Sequence, residues 1–457
     1  MAFGNHDLYG KNDMDFEGVL ERARAALGQR RSGEVLALSR TLVAAAPERV
    51  EGWLLQALAL ILDGQAGIVY RRVLPLRRRR FDDDGIVFLK DVFLILDRLK
   101  AYDAMLAAAT DAPAGELFAI VPGYFAACVL LARRRFDEGF ALLGAVRSRC
   151  LASLDRLPTT DDDGFMVLFR HALLVNDPGY LGQPYYRDNL ALNRAQLGPL
   201  HWADAPEPEA PESSAPESSA PESGTAAERS VVMVSCDRRY ADLFLPRFFE
   251  SVDRLCRGRL VHLHLLDPEP EPGPGAAAVA LPPLRHNRLA LSWERSGALK
   301  CAAWYASARF VRMAGLLRHY RRPVVLFDVD VALCHPVELV EQAMADADFG
   351  CFRMDRLDPG SVYQASVTAF RPNPAGLELA ELLGDLILSK MSLKRPLLWL
   401  IDQASLYSAV TILADLSGRL RVADLTRRLG MTVDQYVAFC QRNEDKLRLM
   451  KLASGLL

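Results

Sequence analysis

The sequence predicts two folded domains, an all-α helical-repeat domain followed by an α/β domain of the doubly wound type. Three observations carry that prediction. Between residues 15 and 203 apolar residues recur at intervals of three and four, the period of helices with one buried face. From Ser230 onward, short apolar runs alternate with helical stretches, the pattern of a sheet covered by helices. Between them stands Ala205–Gly224, APEPEAPESSAPESSAPESG, which has nothing to bury and cannot offset its ordering entropy. The expected organisation is a disordered stretch 1–14, a helical domain 15–203, a flexible linker 204–228, an α/β domain 229–423 and a helical tail 424–457.

Composition narrows the function. Hydrophobic content of 51% and charged content of 25% describe a globular chain with ample core material. Lys+Arg 55 against Asp+Glu 57 leaves no basic footprint for nucleic acid. The eight Cys include no CxxC pair, which argues against a zinc site or a disulfide framework and for a reducing, cytoplasmic setting. No apolar run reaches the ~18–20 residues of a spanning helix, and MAFGNHDLYGKND lacks the regions of a signal peptide.

In the helical part, Val19, Leu20, Ala23, Ala26 and Leu27 form one stripe and Val35, Leu36, Leu38, Leu42 and Val43 a second, with a break at Arg30–Gly33. A second helix pair starts after Pro47, with Trp53, Leu54, Ala57, Leu58 and Leu60 on one face. Gly123–Val146 reads as helix, Arg-rich turn, helix, with Ala127, Ala132, Gly139 and Ala141 at the close-packing points. The alternation resembles tetratricopeptide repeats, though a 34-residue period is not clean and Arg71–Arg80 interrupts it. Such an array implies a platform for a protein or glycan acceptor. The run RRVLPLRRRR reads as a solvated face, or as a contact to phosphates or an inner-membrane surface, partly neutralised by Asp82–Asp84.

In the α/β part, Ser230–Ser235 is a strand, Tyr240–Leu255 a helix, Leu260–Leu266 a strand, Asp267–Pro283 a loop and Gly297–Tyr320 a long helix. His262 and His264, two apart on one strand face, read as a metal pair or as satisfied sheet residues. Pro323–Leu333, PVVLFDVDVAL, is read as one buried strand whose Asp328 and Asp330 share a face, about 7 Å apart along the chain. Two desolvated like charges call for a cation, and hard oxygen ligands suit Mg²⁺ or Mn²⁺. Ala347–Met354 and Ser366–Phe370 are further strands. Ser235–Asp237, Asp267 and Asp328–Asp330 all end strands, where ligands bind in such sheets.

Four segments together resemble the GT-A-fold, Rossmann-like, nucleotide-sugar-dependent glycosyltransferases over Ser230–Leu413. They are VSCDRRY, ALKCAAWYASARF, FDVD and WLIDQASLY. The resemblance implies a hexosyltransferase-like enzyme whose donor is a nucleoside diphosphate sugar. It implies that Ser235, Cys236, Asp237 and Tyr240 hold the nucleoside and that Lys300 and Arg309 face the diphosphate or sugar. Gln364 and Ser366 would shape the sugar pocket, and Asp328 and Asp330 would hold Mn²⁺ or Mg²⁺, with Asp330 the direct ligand. Asp402 and Gln403 would bind sugar hydroxyls, or Asp402 would be the general base; otherwise Asp402 caps a helix. Trp399 would stack on a sugar or fill the core. Relatives that take a third metal ligand from a late His are not matched, since no His follows His335. Two other classes stay open. One is a non-catalytic scaffold that senses a nucleotide sugar. The other is a haloacid-dehalogenase-like phosphatase with Asp328 as nucleophile, although Val331-Ala332 stands where Gly-Thr is usual.

Overall fold

The structure is a computed structural model and describes residues 15–81, 85–113, 116–153, 165–203, 229–268, 281–393, 398 and 400–439. Expectations for 1–14, Asp82–Asp84, the linker 204–228, Trp399 and the chain after Phe439 lie outside the described residues. The chain divides into two compact units, Met1–Leu173 and Leu174–Leu457.

The first unit is helical. Its helices are α1 (Phe16–Gly28), α2 (Ser32–Ala45), α3 (Val50–Leu62), α4 (Ala66–Ile68), α5 (Leu74–Phe81), α6 (Ile86–Arg98), α7 (Tyr102–Thr110), α8 (Ile120–Ala132), α9 (Phe136–Ala152) and α10 (Phe165–Leu174). A π turn, Val69–Val73, joins α4 and α5 into one continuous element. Each hairpin turn holds one left-handed residue: Arg30, Gly64, Lys100 and Arg134. Their successive separations are 34, 36 and 34 residues, so the hairpins repeat regularly. The Arg71–Arg80 run does not interrupt the array, contrary to expectation, because it lies within the second hairpin's return helix. Arg77 is buried there, with its guanidinium over the rings of Phe81 and Phe88. At Gly139 a Cβ would meet the Leu131 side chain at 2.8 Å, so α8 and α9 approach closely at that glycine.

The second unit comprises α11 (Pro184–Ala195), β1 (His201–Ala203), β2 (Val231–Asp237), α12 (Arg238–Leu255), β3 (Leu260–Leu266), β4 (Arg288–Glu294), α13 (Ala302–Tyr320), β5 (Val324–Phe327), β6 (Val331–Leu333), α14 (Glu338–Ala343), β7 (Phe349–Arg353), α15 (Pro359–Val362), β8 (Tyr363–Phe370), α16 (Pro374–Lys390), α17 (Ile401–Val410), β9 (Val422–Asp424), α18 (Leu425–Leu429), α19 (Val433–Tyr436) and β10 (Val437–Phe439). Eight strands form one sheet in the order β1-β4-β3-β2-β5-β8-β7-β9. Strands β4, β3, β2 and β5 are mutually parallel, and β8 runs antiparallel between β5 and β7. The sheet is therefore mixed, with a parallel core. The chain builds β2, β3 and β4 outward and then returns to place β5 on the other side of β2. The strand order thus reverses between β2 and β5, the crevice where α/β sheets bind ligands.

Several sequence expectations change. Residues 174–203, assigned to the helical domain, supply α11 and the edge strand β1 to the α/β unit. Strand β4 was not expected at all, although Leu289, Leu291 and Trp293 alternate along it with Ala290, Ser292 and Glu294. The long helix begins at Ala302 rather than Gly297, after a 3₁₀ turn at Gly297–Leu299. Pro323–Leu333 is not one strand: β5 stops at Phe327, and β6 pairs with β10 in a separate two-stranded sheet. The tail from Asp424 is not simply helical over its described residues, since β10 follows α18 and α19 and pairs with β6. Among the described residues no helix is long and apolar enough to cross a membrane.

The two sheet faces differ in chemistry. On one, Val234, Cys236, Leu263, Leu265, Phe327 and Val367 pack with Phe244, Phe248 and Val252 of α12 into the apolar core. On the other, beneath α13, lies a polar row: Ser292, His264 and Ser235 stand level in register on β4, β3 and β2, and Asp328, just past β5, donates its N–H to Ser366 O of β8 at 2.9 Å. One direction of donation satisfies a chain along β3 and β4. Tyr320 donates to His262 Nδ1 (2.6 Å), His262 Nε2 to Ser292 Oγ (2.9 Å), Ser292 to His264 Nδ1 (2.9 Å) and His264 Nε2 to Glu294 (3.2 Å). Glu294 also accepts from Arg312 Nε at 2.9 Å. All four imidazole nitrogens are spent on these bonds, so this is the satisfied-sheet reading of His262 and His264, not a metal pair.

Burial pushes the His262 imidazole well below its ordinary pKa of 6.5. Below that pH the unfolded chain takes up a proton that the folded chain refuses. Stability is therefore full above pH 6.5 and falls as pH drops, by at most about 1.4 kcal/mol per pH unit for this group. We expect the melting temperature of the second unit to fall between pH 6.5 and 5, and the slope to flatten in His262→Gln; a pH series of melting curves checks this.

Candidate functional site

Strand β2 delivers Ser235, Cys236 and Asp237 to the switch point, and β5 delivers Asp328 beside them. Alternation separates the first three. Ser235 lies on the α13 face, 4% exposed, with its Oγ buried and unpartnered. Cys236 faces the opposite way, packed in the apolar core, where burial pushes its thiol well up. Its side chain therefore points away from the α13 face on which Ser235 lies. Asp237 caps α12, accepting from Tyr240 N at 2.9 Å. The Tyr240 ring packs against Phe244, and its hydroxyl is raised by burial and by the nearby charges of Asp237 and Asp328.

Asp328 follows the last residue of β5, and its N–H donates to Ser366 O at 2.9 Å. Asp328–Asp330 form a turn, so strand alternation does not place the two carboxylates on one face, as the sequence had suggested. Asp330 is 6% exposed and immediately precedes β6.

Arg309 of α13 organises this end of the sheet. Its side chain is 6% exposed and ion-paired with Asp328 on one side. Its Nη2 lies 3.6 Å from Asp402 Oδ2 on the other, and donates to Ala365 O at 3.4 Å. Its Nε is buried without a partner. Asp402 sits in the first turn of α17, where Leu400 holds the N-cap position, and accepts from Gln403 N at 2.9 Å. It is therefore not the capping residue. Burial raises the Asp402 carboxyl above the ordinary range; Arg309 opposes that rise and Asp328 adds to it. Gln403 is half-buried beside Asp402. Ser366 and Gln364 lie on β8, whose antiparallel start faces the carboxyl end of β5. Ser366 Oγ is buried and unpartnered.

Lys300 lies outside α13, so its helical register with Arg309 does not apply. It is exposed at the rim, 4.0 Å from Asp267. Two residues went unassigned from the sequence. Asp267, just after β3, accepts from Ser296 N (2.8 Å) and from the Tyr305 hydroxyl (2.9 Å). Tyr305, on the first turn of α13, has its hydroxyl raised by burial and by Asp267, with Asp237 contributing. Asp267 was visible as a strand-ending acid; nothing in the local sequence marked Tyr305. Electrostatic neighbours thus run unbroken from Lys300 through Asp267, Tyr305, Asp237, Tyr240, Asp328 and Arg309 to Asp402.

For a metal, the available donor set is small. Among the described residues no three His, Cys, Asp or Glu side chains are grouped to hold one. One Asp328 oxygen is already committed to Arg309. Mg²⁺ needs only one or two carboxylates when phosphates and water complete its shell. A cation held by Asp328 or Asp330 would need phosphate oxygens and water to complete its shell.

The second unit is an α/β fold with charged side chains gathered at its strand-order reversal. No protein-family model and no curated protein matches the sequence. Among solved structures, the chain has a distant likeness to the apo structure of the WbbM bifunctional glycosyltransferase, at 15% identity and a TM-score of 0.28. The match covers 40% of this chain and 37% of that one, so it spans little more than a third of that protein's length.

Proposed function

We propose that the second unit is a GT-A-like glycosyltransferase that takes a hexose from a nucleoside diphosphate sugar. The observation that carries this is Arg309 held between Asp328 and Asp402 at the β2/β5 switch point. A diphosphate leaving group needs fixed positive charge, which Arg309 and the rim Lys300 supply. Sugar hydroxyls need paired acceptors and donors, which Asp402, Gln403, Gln364 and Ser366 supply. Asp402, buried and raised, serves as the base toward an acceptor hydroxyl. Asp237 and Tyr240 receive the nucleoside at the end of β2, over Ser235. Asp330 and the free oxygen of Asp328 would hold Mn²⁺ or Mg²⁺, whose chemistry there is Lewis-acid stabilisation of the leaving diphosphate. The first unit, with hairpins every 34–36 residues, serves as a tetratricopeptide-like platform for the protein or glycan acceptor.

The test is a thermal-shift and calorimetric titration of UDP and GDP with and without Mn²⁺. Asp330→Asn should lose at least tenfold in metal-assisted nucleotide affinity while still melting in one cooperative transition. Unchanged affinity would remove the metal assignment. Hydrolysis of p-nitrophenyl phosphate that disappears in Asp328→Asn would instead establish the phosphatase reading.

A further inference from the structure

Asp267 lies in the left-handed region of backbone space, which Asp enters more readily than most residues. Its φ is 50°, and its N–H donates to Glu294 O at 2.9 Å, which fixes the backbone there. The carboxylate so placed gathers three separate pieces of chain. One oxygen takes the Ser296 N–H at 2.8 Å and fixes the turn that leads to Lys300. The other takes the Tyr305 hydroxyl at 2.9 Å and fixes the first turn of α13. The Lys300 ammonium, on a side chain 63% exposed, stands 4.0 Å from that second oxygen, an ion pair without a hydrogen bond. Burial alone would raise this carboxyl, yet the bonds from Ser296 and Tyr305 and the charge of Lys300 hold it below the ordinary range. An exposed lysine paired with one acid on a plain surface contributes little. Here the acid is 14% exposed and anchored at the carboxyl edge of the parallel strands, next to Asp237 of β2.

We infer that Asp267 is a positioning residue: it holds the Lys300 ammonium and Tyr305 at the rim of the crevice, so that the donor's diphosphate meets a cation already in place. This rests on the proposed function, because it supposes a diphosphate ligand. A lysine restrained before binding loses less side-chain entropy on binding, and the benefit is confined to ligands long enough to reach it.

The experiment compares UDP with UMP, and GDP with GMP, by calorimetry on the full chain. Variants are Asp267→Asn, Lys300→Met, Tyr305→Phe and the double Asp267→Asn/Lys300→Met. Asp267→Asn should weaken the diphosphate about tenfold and leave the monophosphate within twofold. Lys300→Met should do the same, and the double variant should be no weaker than the poorer single one, since both act through one ammonium. Tyr305→Phe should reproduce part of the loss. Equal weakening of mono- and diphosphate, or additive losses in the double variant, would overturn the inference in favour of a merely structural role. Unchanged affinity in Asp267→Asn with a binding wild type overturns this inference alone. A wild type that binds no nucleoside diphosphate overturns the proposed function and this inference together.

Discussion

Replacing Arg309 by methionine is expected to destabilise the second unit by roughly 3–5 kcal/mol and to abolish nucleotide binding. The size of the effect follows from burial. The guanidinium is 6% exposed, and its partners Asp328 and Asp402 have side chains 27% and 10% exposed. Methionine matches much of the volume but leaves two carboxylates facing each other without a counter-charge. Protonating one of them is the route to relief, and Asp402 is the candidate because burial already raises it. The sign of the pH dependence follows. At acid pH Asp402 is neutral and the loss of Arg309 costs least; as pH rises through its raised pKa the variant must ionise a buried acid, and the deficit grows. Adding Asp402→Asn to Arg309→Met should recover about 1–3 kcal/mol of the loss near neutral pH. Urea unfolding followed by tryptophan fluorescence measures this, since Trp202, Trp293, Trp304 and Trp399 all belong to the second unit and only Trp53 to the first. Equal stability of Arg309→Met and wild type at pH 8 would show that the two acids find compensation elsewhere.

How far the sequence could anticipate this site depends on which residues are considered. Asp328 was legible because an acid that breaks an apolar run of strand length loses hydration and must be met by a counter-charge or a ligand. Arg309 was legible as a phosphate-binding type, but its position between two acids depends on α13 crossing the sheet, which no local pattern encodes. Its apparent partner on the same helix, Lys300, proved to lie before the helix start. The helical period was hidden for a chemical reason. Left-handed turn positions usually carry glycine or asparagine, and three of the four here carry Arg30, Lys100 and Arg134. On strand β4 the alternation of Leu289, Leu291 and Trp293 was legible, but the full burial of Ser292 and Glu294 on its other face was not, because they pair with His262, His264 and Arg312 rather than with apolar neighbours. A hydropathy pattern registers the polarity of such residues and not the hydrogen bonds that make their burial tolerable.

The boundary of the second unit gives the other large effect. A fragment beginning at Arg229, where the linker ends, should fail to fold, whereas one beginning at Leu174 should fold cooperatively. The apolar stripe of α11 resembles those of the repeat helices, which is why 174–203 reads as part of the helical domain. Yet α11 buries Tyr186 and Leu190, and packs on α16. Burying each such side chain is worth about 1.5–3 kcal/mol. Asn193 Nδ2 donates to Leu388 O at 2.7 Å and to Ser392 Oγ at 3.0 Å, and Asn176 N donates to Ser408 Oγ at 2.9 Å. Gly198 O accepts from Arg312 at 2.7 Å, which ties this segment to the buried Glu294 cluster. Strand β1 covers the edge of β4, with His201 stacked on Trp293 and Trp202 on His319, both at 4.0 Å. Starting at Arg229 strips all of this at once. The summed loss is comparable with the roughly 5–15 kcal/mol that separates folded from unfolded domains. It also bares β4 as an open edge for pairing with other chains. Soluble yield and a single cooperative melting transition distinguish the fragments. A 229–457 fragment that melts at the same temperature as 174–457 would mean that α11 and β1 decorate a sheet complete without them.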